Sequence, residues 1–275
     1  MIFVYKNWER FCKNLKEKGI TSIPAKQVKS GKPFFVLKHD IECNVQKAFK
    51  LAEIEHKYGH RGSYYAHAYL LEDPKNVVLL QKIQGMGHEV SYHYDVMDST
   101  RGNLEKAIEE FKRNISKFES YGFPIVTVCQ HGNPIVERVG YTSNRDFFRS
   151  CEVRQFFPQI SDLMVNYKEQ YHIDYQYYSD AGRKFKLIFD PLNNDIVNSD
   201  DKNVSFPDLI ALITELNTDS CAIVSTHPHR WTKSTILYCI KSFCFKCVRT
   251  VAKLLIRVPF CKKIMSKYYF LAKKI

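Results

Sequence analysis

Near its N-terminus the chain reads Pro33-Phe34-Phe35-Val36-Leu37-Lys38-His39-Asp40-Ile41-Glu42, a short run of β-forming residues that ends in ionisable side chains. A run of this composition predicts a strand. Helical periodicity follows from Asn44 to Tyr58, and Gly59 stands at the position of a helix C-cap. A strand followed directly by a helix is typical of parallel sheets, whose strands are connected through helices.

The same strand-and-helix unit recurs along the chain. Strands are predicted at 62–68, 88–92, 125–129 and 221–225, and helices after Asp73-Pro74, over 104–118 and over 207–216. Residues 132–185 mix turn-forming and aromatic residues without a regular pattern. The alternation predicts one α/β domain on a parallel sheet that is either closed or doubly wound.

The composition and charge indicate an ordinary globular domain with a basic tail. Hydrophobic residues make up 45% of the 275 residues and charged residues 25%, which excludes a disordered or low-complexity chain. The formal net charge is +12, but eleven Lys and Arg residues lie between Thr232 and Ile275, and no acidic residue follows Asp219. We therefore predict a domain at 1–231 and a basic helical tail at 232–275.

The cysteines and the N-terminus bear on location. The nine cysteines lack regular spacing, which favours a reducing compartment over a disulfide framework. The N-terminus has no signal-peptide pattern, and no apolar run is long enough to span a bilayer. We expect a cytoplasmic location.

Ionisable side chains follow four of the predicted strands. The first strand is followed by Asp40 and Glu42, the third by His93 and Asp95, the fourth by His131 and the last by His227. Because the carboxyl ends of parallel strands share one rim, these side chains are expected to converge. A carboxylate with two or three imidazoles is a ligand set suited to Zn²⁺, with one position left for water.

Strand alternation adds detail to this set. If the first strand continues, Asp40 and Glu42 face one side and His39 faces the other. One carboxylate of the pair can then bind the metal while the other accepts a proton from water. In the simpler alternative, both carboxylates only cap the following helix.

These residues resemble the motifs of the polysaccharide deacetylase (NodB-homology, carbohydrate esterase) family, most of all its WbmS-like branch from O-antigen and capsule gene clusters. Its motif T-F-D-D-G is similar to Leu37-Lys38-His39-Asp40-Ile41-Glu42, and its motif G-H-E-I-G-x-H is similar to Gly87-His88-Glu89-Val90-Ser91-Tyr92-His93. The late histidine motif resembles Ser225-Thr226-His227-Pro228, and a mid-chain Asp motif resembles Tyr178-Ser179-Asp180-Ala181-Gly182.

The resemblance implies a deformed (β/α) barrel, TIM-like with about seven strands, and a hydrolase that removes an N-acetyl group from a sugar with the help of a divalent metal. In family terms Asp40 is the catalytic base. Glu42 replaces the metal-binding Asp, whose position is Ile41, and His93 is the first metal histidine. The second metal histidine falls on Met97, so either His131 or Asp95 supplies that ligand, or the metal is bound weakly or not at all.

The resemblance also assigns the remaining residues of the site. His227 corresponds to the general acid, and Asp180 orients it. Histidine side chains ordinarily have a pKa near neutral pH, so an imidazolium can protonate a departing amine. Tyr94 and Trp231 are candidates to line a sugar cleft, although core packing is the commoner role of single aromatic residues.

Two other functions stay open from the residues alone. A metal hydrolase of another bond class would use the same ligand set, because an activated water attacks many electrophiles. A domain that binds glycan or partner enzymes without catalysis is compatible with the departure at Met97. A nucleic-acid partner is not expected, since the cations are confined to the tail.

The tail itself has an amphipathic pattern. Apolar residues repeat at helical spacing from Ile236 to Val258, while Lys246, Arg249, Lys253 and Arg257 gather on another face. A basic amphipathic helix of this kind binds the surface of an anionic membrane, here the inner face of the cell membrane. The alternative is that the apolar stripe packs on the barrel or on a second subunit.

Overall fold

The computed structural model describes residues 2–133, 136–198 and 200–255. The strands are β1 (Phe34–Ile41), β2 (Gly62–Ala66), β3 (Glu89–Tyr94), β4 (Thr127–Gln130), β5 (Ser161–Asp162), β6 (Gln176–Ser179), β7 (Lys186–Leu187), β8 (Val204–Ser205) and β9 (Cys221–Thr226). The α-helices are α1 (Tyr5–Glu17), α2 (Val45–Lys57), α3 (Pro74–Gly85), α4 (Val96–Ser99), α5 (Leu104–Ser120), α6 (Asp146–Arg149), α7 (Cys151–Phe156), α8 (Tyr167–Tyr171), α9 (Leu209–Glu215) and α10 (Thr235–Leu255).

The strands form one sheet in the order β5-β4-β3-β2-β1-β9-β6-β7-β8. The seven strands from β5 to β6 in this order run parallel, and β7 and β8 extend the sheet in antiparallel fashion. The prediction of an α/β fold, a deformed barrel of about seven parallel strands with helices outside, is confirmed. Two of the parallel strands, β5 and β6, lie in the segment that showed no regular pattern.

The two faces of the sheet carry different cores. On β1, Phe35 and Leu37 face outward and pack with α1 and α9, whereas Phe34 and Val36 face the interior with residues such as Tyr65 and Ile223. This alternation follows from the pleat, which points successive side chains to opposite faces. The interior positions that follow on β1 are Lys38 and Asp40, so the strand delivers charge to the inside of the barrel near its carboxyl end.

Tyrosine side chains bridge the ends of the parallel set. Within the described residues no ladder joins β5 to β6. Instead Tyr175, just before β6, donates its hydroxyl to the carbonyl of Leu163, just after β5, at 2.6 Å. Tyr167 donates its hydroxyl to the carbonyl of Ala25 at 2.7 Å, and both residues belong to the same core cluster as Leu163 and Tyr175. The barrel is therefore deformed where side chains replace a strand pair.

The tail begins as a helix in contact with the domain. Thr232 forms backbone hydrogen bonds with Phe3 and Tyr5, and α10 starts three residues later. The predicted helix is thus present over 235–255, while 256–275, with Val258 and Arg257, lie outside the described residues. Through residue 255, and leaving aside the gaps named above, no helix combines the length and the apolar character needed to cross a membrane. The domain boundary after Trp231 stays a prediction.

Candidate active site

Three histidines converge at the carboxyl ends of neighbouring strands. His67 follows β2, His93 lies on β3 and His131 follows β4. Each offers a ring nitrogen, and these nitrogens all lie within 4.8 Å of one another. All three side chains are buried. We call this set the histidine cluster.

His93 has the tautomer and the charge of a metal ligand. Its Nδ1 lies 3.0 Å from the carbonyl oxygen of Cys129. Because a carbonyl can only accept, Nδ1 carries the proton and Nε2 keeps its lone pair. Burial lowers the pKa of His93 well below its usual range, and the neighbouring His67 and His131 lower it further. A neutral imidazole is the form that binds metals.

His67 was not predicted from the sequence. The second strand was assigned to 62–68, which placed His67 inside the strand, whereas β2 ends at Ala66. A signal was available in the sequence, since His67 stands near the carboxyl end of a predicted strand, as His93 and His131 do. The structure brings His67 together with His93 and His131, so three imidazole nitrogens converge although Met97 stands where the motif resemblance places the second metal histidine. Met97 is buried in the helical layer, and Asp95 stands at the N-terminus of α4.

Asp40 lies beside this cluster in an ion pair. Both of its carboxylate oxygens are contacted by the ammonium group of Lys38, at 2.7 and 2.6 Å, and Lys38 also donates to Ser225 at 3.3 Å. Burial lowers the pKa of Lys38, but the charge and hydrogen bonds of Asp40 together with the charges of Cys129 and Tyr177 raise it more, so that pKa stands well above its usual range. Ligand atoms of Asp40, His93 and Cys129 form a second converging group. Asp40 therefore faces the interior, as the alternation predicted, and His39 faces the helices.

Glu42 lies between the histidine cluster and the last strand. Its Oε1 is 3.3 Å from Nε2 of His131 and 4.0 Å from Nε2 of His227, and its Oε2 is 3.8 Å from Nδ1 of His229. The turn that holds it ends at Asn44, a left-handed residue whose side chain accepts from the backbone of Lys47 and so begins α2. His229 is a further rim residue that the sequence did not single out, although it lies two positions after His227.

Asp180 holds His227 in one orientation. Its carboxylate lies 2.6 Å from Nδ1 of His227 and also accepts from the backbone N–H of His227, from Thr226 and from Arg230. Burial raises the pKa of Asp180, but Arg230 and His227 lower it more, so it stays well below its usual range. The ionised carboxylate fixes the Nδ1–H tautomer, and Nε2 of His227 lies 3.9 Å from Oδ2 of Asp40. The motif resemblance predicted that Asp180 orients His227, and the structure places these two side chains in contact.

The aromatic residues proposed to contact sugar do not reach this rim. Tyr94 is fully buried on the outer face of β3 among Phe111, Phe147 and Phe148. Trp231 is fully buried against Trp8 and donates its indole N–H to Thr226 at 2.9 Å. Their assignment as substrate-binding residues is corrected, since both belong to the core. Alternation on β3 points Tyr94 outward while its neighbour His93 points inward, and Trp231 packs against Trp8.

No family model and no curated protein sequence matches the chain. Its fold is similar to that of a CE4 family pseudoenzyme from Bacillus anthracis, at 12% identity and a TM-score of 0.42, covering 81% of this chain and 64% of that chain. A mutant of that pseudoenzyme with restored enzymatic activity is similar at 13% identity and a TM-score of 0.42, covering 80% and 64%. The peptidoglycan deacetylase PdaC from Bacillus subtilis is similar at 12% identity and a TM-score of 0.36, covering 81% and 99%. The chain thus spans a little under two thirds of the Bacillus anthracis protein, and the likeness concerns the fold alone.

Proposed function

We propose that the chain is a metal-dependent hydrolase that removes an N-acetyl group from a sugar. The observation that carries the proposal is the histidine cluster, which lies beside Asp40 and His227 at one rim of the barrel. His227 is itself oriented there by Asp180. A metal site next to a carboxylate and an oriented imidazole is the set of groups that amide hydrolysis requires.

The residues present fit a divalent cation. His67, His93 and His131 are buried and convergent, and His93 is held neutral with one nitrogen donating to a carbonyl. Three imidazoles are a common protein ligand set for catalytic Zn²⁺, so these residues would hold the ion. When bound, the ion supplies Lewis acidity that polarises a carbonyl and acidifies water. We propose Zn²⁺ as the metal.

Asp40 and His227 divide the proton transfers between them. Asp40 accepts a proton from the attacking water, and Lys38 fixes the orientation of its carboxylate. The water oxygen forms a bond to the acyl carbon, and the bond from that carbon to nitrogen breaks. His227 donates a proton from Nε2 to the departing amine, while Asp180 retains the Nδ1–H and stabilises the charged ring. Acetate and the free amino sugar are the products.

The substrate class comes from the sequence motifs. They resemble the WbmS-like branch, which supports a sugar of O-antigen or capsule biosynthesis, free, nucleotide-linked or lipid-linked. The rim adds basic side chains to the imidazoles, since Lys47 donates to the carbonyl of His229 and Arg230 contacts Asp180.

The test combines metal analysis with an acetate assay on the full chain. We expect about one divalent ion per chain, and acetate release from N-acetylated sugar nucleotides or lipid-linked sugars. His67→Ala should lose the ion, whereas His56→Ala, an exposed histidine on α2, should keep it. His227→Ala should keep the ion and lose activity by roughly a hundredfold or more.

Each outcome separates the proposal from its alternatives. Wild-type protein without a metal would favour a binding domain without catalysis. Protein that holds the ion but releases acetate from none of these sugars would favour a hydrolase of another bond class. Full occupancy in His67→Ala would show that the cluster is not the metal site.

A further inference from the structure

The apolar stripe of α10 faces away from the domain. Ile236, Ile240 and Phe243 are 75%, 55% and 68% exposed, and their spacing places them on one face of the helix. Cys244 and Cys247, on the same side, are exposed as well. The stripe therefore does not pack on the barrel, which was one of the two alternatives left by the sequence.

The opposite face of α10 docks beside the candidate active site. Tyr238 packs near the buried Phe3, with the ring centroids 6.1 Å apart. The guanidinium group of Arg183 lies 3.9 Å over the ring of Phe245, and Arg183 follows Asp180 by three residues. Burial lowers the pKa of Lys47 to about 8, and the charges of Lys241 and Arg183 contribute. Since Lys47 also bonds the carbonyl of His229, the helix lies next to the rim that holds His227.

Charge indicates what covers the exposed stripe. Lys233, Lys241 and Lys246 lie on or next to this part of the helix, and eleven Lys and Arg residues follow Trp231 without one acidic residue. Two copies of the chain that paired through the stripe would bring two such sets of cations together. The surface of an anionic bilayer offers apolar depth for the stripe and phosphate charge for the cations.

We infer that α10 is a docking surface for anionic membranes, which holds the rim of the barrel at the lipid surface. The helix binds in the plane of the interface, with Ile236, Ile240 and Phe243 in the acyl boundary. If the proposed function holds, a sugar on a lipid carrier reaches the active site without leaving the membrane. The docking itself does not depend on that function.

The experiment is co-sedimentation of the full chain with vesicles of phosphatidylcholine, with and without phosphatidylglycerol. Wild-type protein should sediment with the anionic vesicles at low salt and be released at high salt. The double variant Ile240→Asp with Phe243→Asp should bind at least about tenfold more weakly. Val78→Asp, an exposed apolar residue on α3, is the matched control and should bind like the wild type.

Three results would overturn the inference. Wild-type protein that stays in the supernatant with anionic vesicles would show that the stripe is not a membrane surface. Equal binding of the double variant and the wild type would place the membrane contact elsewhere. A dimer in sedimentation equilibrium that the double substitution dissociates, without vesicle binding by the wild type, would assign the stripe to a second copy. None of these measurements uses catalytic activity, so failure of the proposed hydrolase reaction would be seen separately.

Discussion

Glu55 anchors the strand that carries Lys38 and Asp40, and its removal should destabilise the whole domain. Its carboxylate is fully buried on α2 and accepts hydrogen bonds from the indole of Trp8 at 3.0 Å and the hydroxyl of Tyr64 at 2.8 Å. Nε2 of His39, on the outer face of β1, lies 2.8 Å from the same carboxylate. Burial raises the pKa of Glu55, but His39 and the hydrogen bonds lower it more, so it is ionised at neutral pH.

The magnitude follows from the groups that would be left unpaired. Glu55→Ala strands two buried donors, each at a cost of about 1.5–2 kcal/mol, and removes the partner of His39. We expect the free energy of unfolding to fall by about 4 kcal/mol, a large share of the roughly 5–15 kcal/mol typical of a domain. Glu55→Gln keeps the volume and one acceptor oxygen, so its loss should be about half as large.

Urea unfolding followed by far-ultraviolet circular dichroism measures this loss. Glu53→Ala is the matched control, since Glu53 lies on the same helix in an exposed pair with Lys50 and should change stability by less than about 0.5 kcal/mol. If Glu55→Ala unfolds within about 1 kcal/mol of the wild type, the buried donors find other partners and the reasoning is refuted.

Three further outcomes are expected. Burial lowers the pKa of His88 to about 4 from an ordinary 6.5, so its contribution to stability is present above pH 6.5 and is lost as the pH falls toward 4. His88→Gln should therefore make the urea midpoint depend less on pH across that window, and an unchanged pH dependence of the midpoint would contradict this. A Cβ on Gly62 would lie 2.7 Å from the carbonyl oxygen of Leu37, so Gly62→Ala should lower the free energy of unfolding by about 1–3 kcal/mol, and a variant as stable as the wild type would show that β1 and β2 can separate. Asp195 accepts hydrogen bonds from Arg149 through both carboxylate oxygens, at 2.8 Å each, and should hold residues 190–198 in place. Asp195→Ala should therefore speed proteolysis of that segment, whereas Asp201→Ala, at an exposed residue, should not.

The parallel α/β fold could be predicted from local patterns. The apolar run of β1, the helix after it and the periodic positions of α5 are readable because side chains alternate or repeat with the geometry of their own element. The same rule placed Asp40 opposite His39. The strands β5 and β6 were missed, since β5 has two residues and β6 is a short tyrosine-rich segment without a boundary signal.

The sequence by itself determined that ionisable residues end several strands, and the motifs paired Asp180 with His227. Only the tertiary structure decided which of these residues meet. His67 joins His93 and His131 because parallel pairing of β2, β3 and β4 brings three strand ends side by side, and this register depends on contacts distant in the sequence. Packing also decided that Tyr94 and Trp231 belong to the core and that the stripe of α10 stays exposed. Periodicity shows that a helix has an apolar face, whereas the neighbours of that face follow from how the elements pack together.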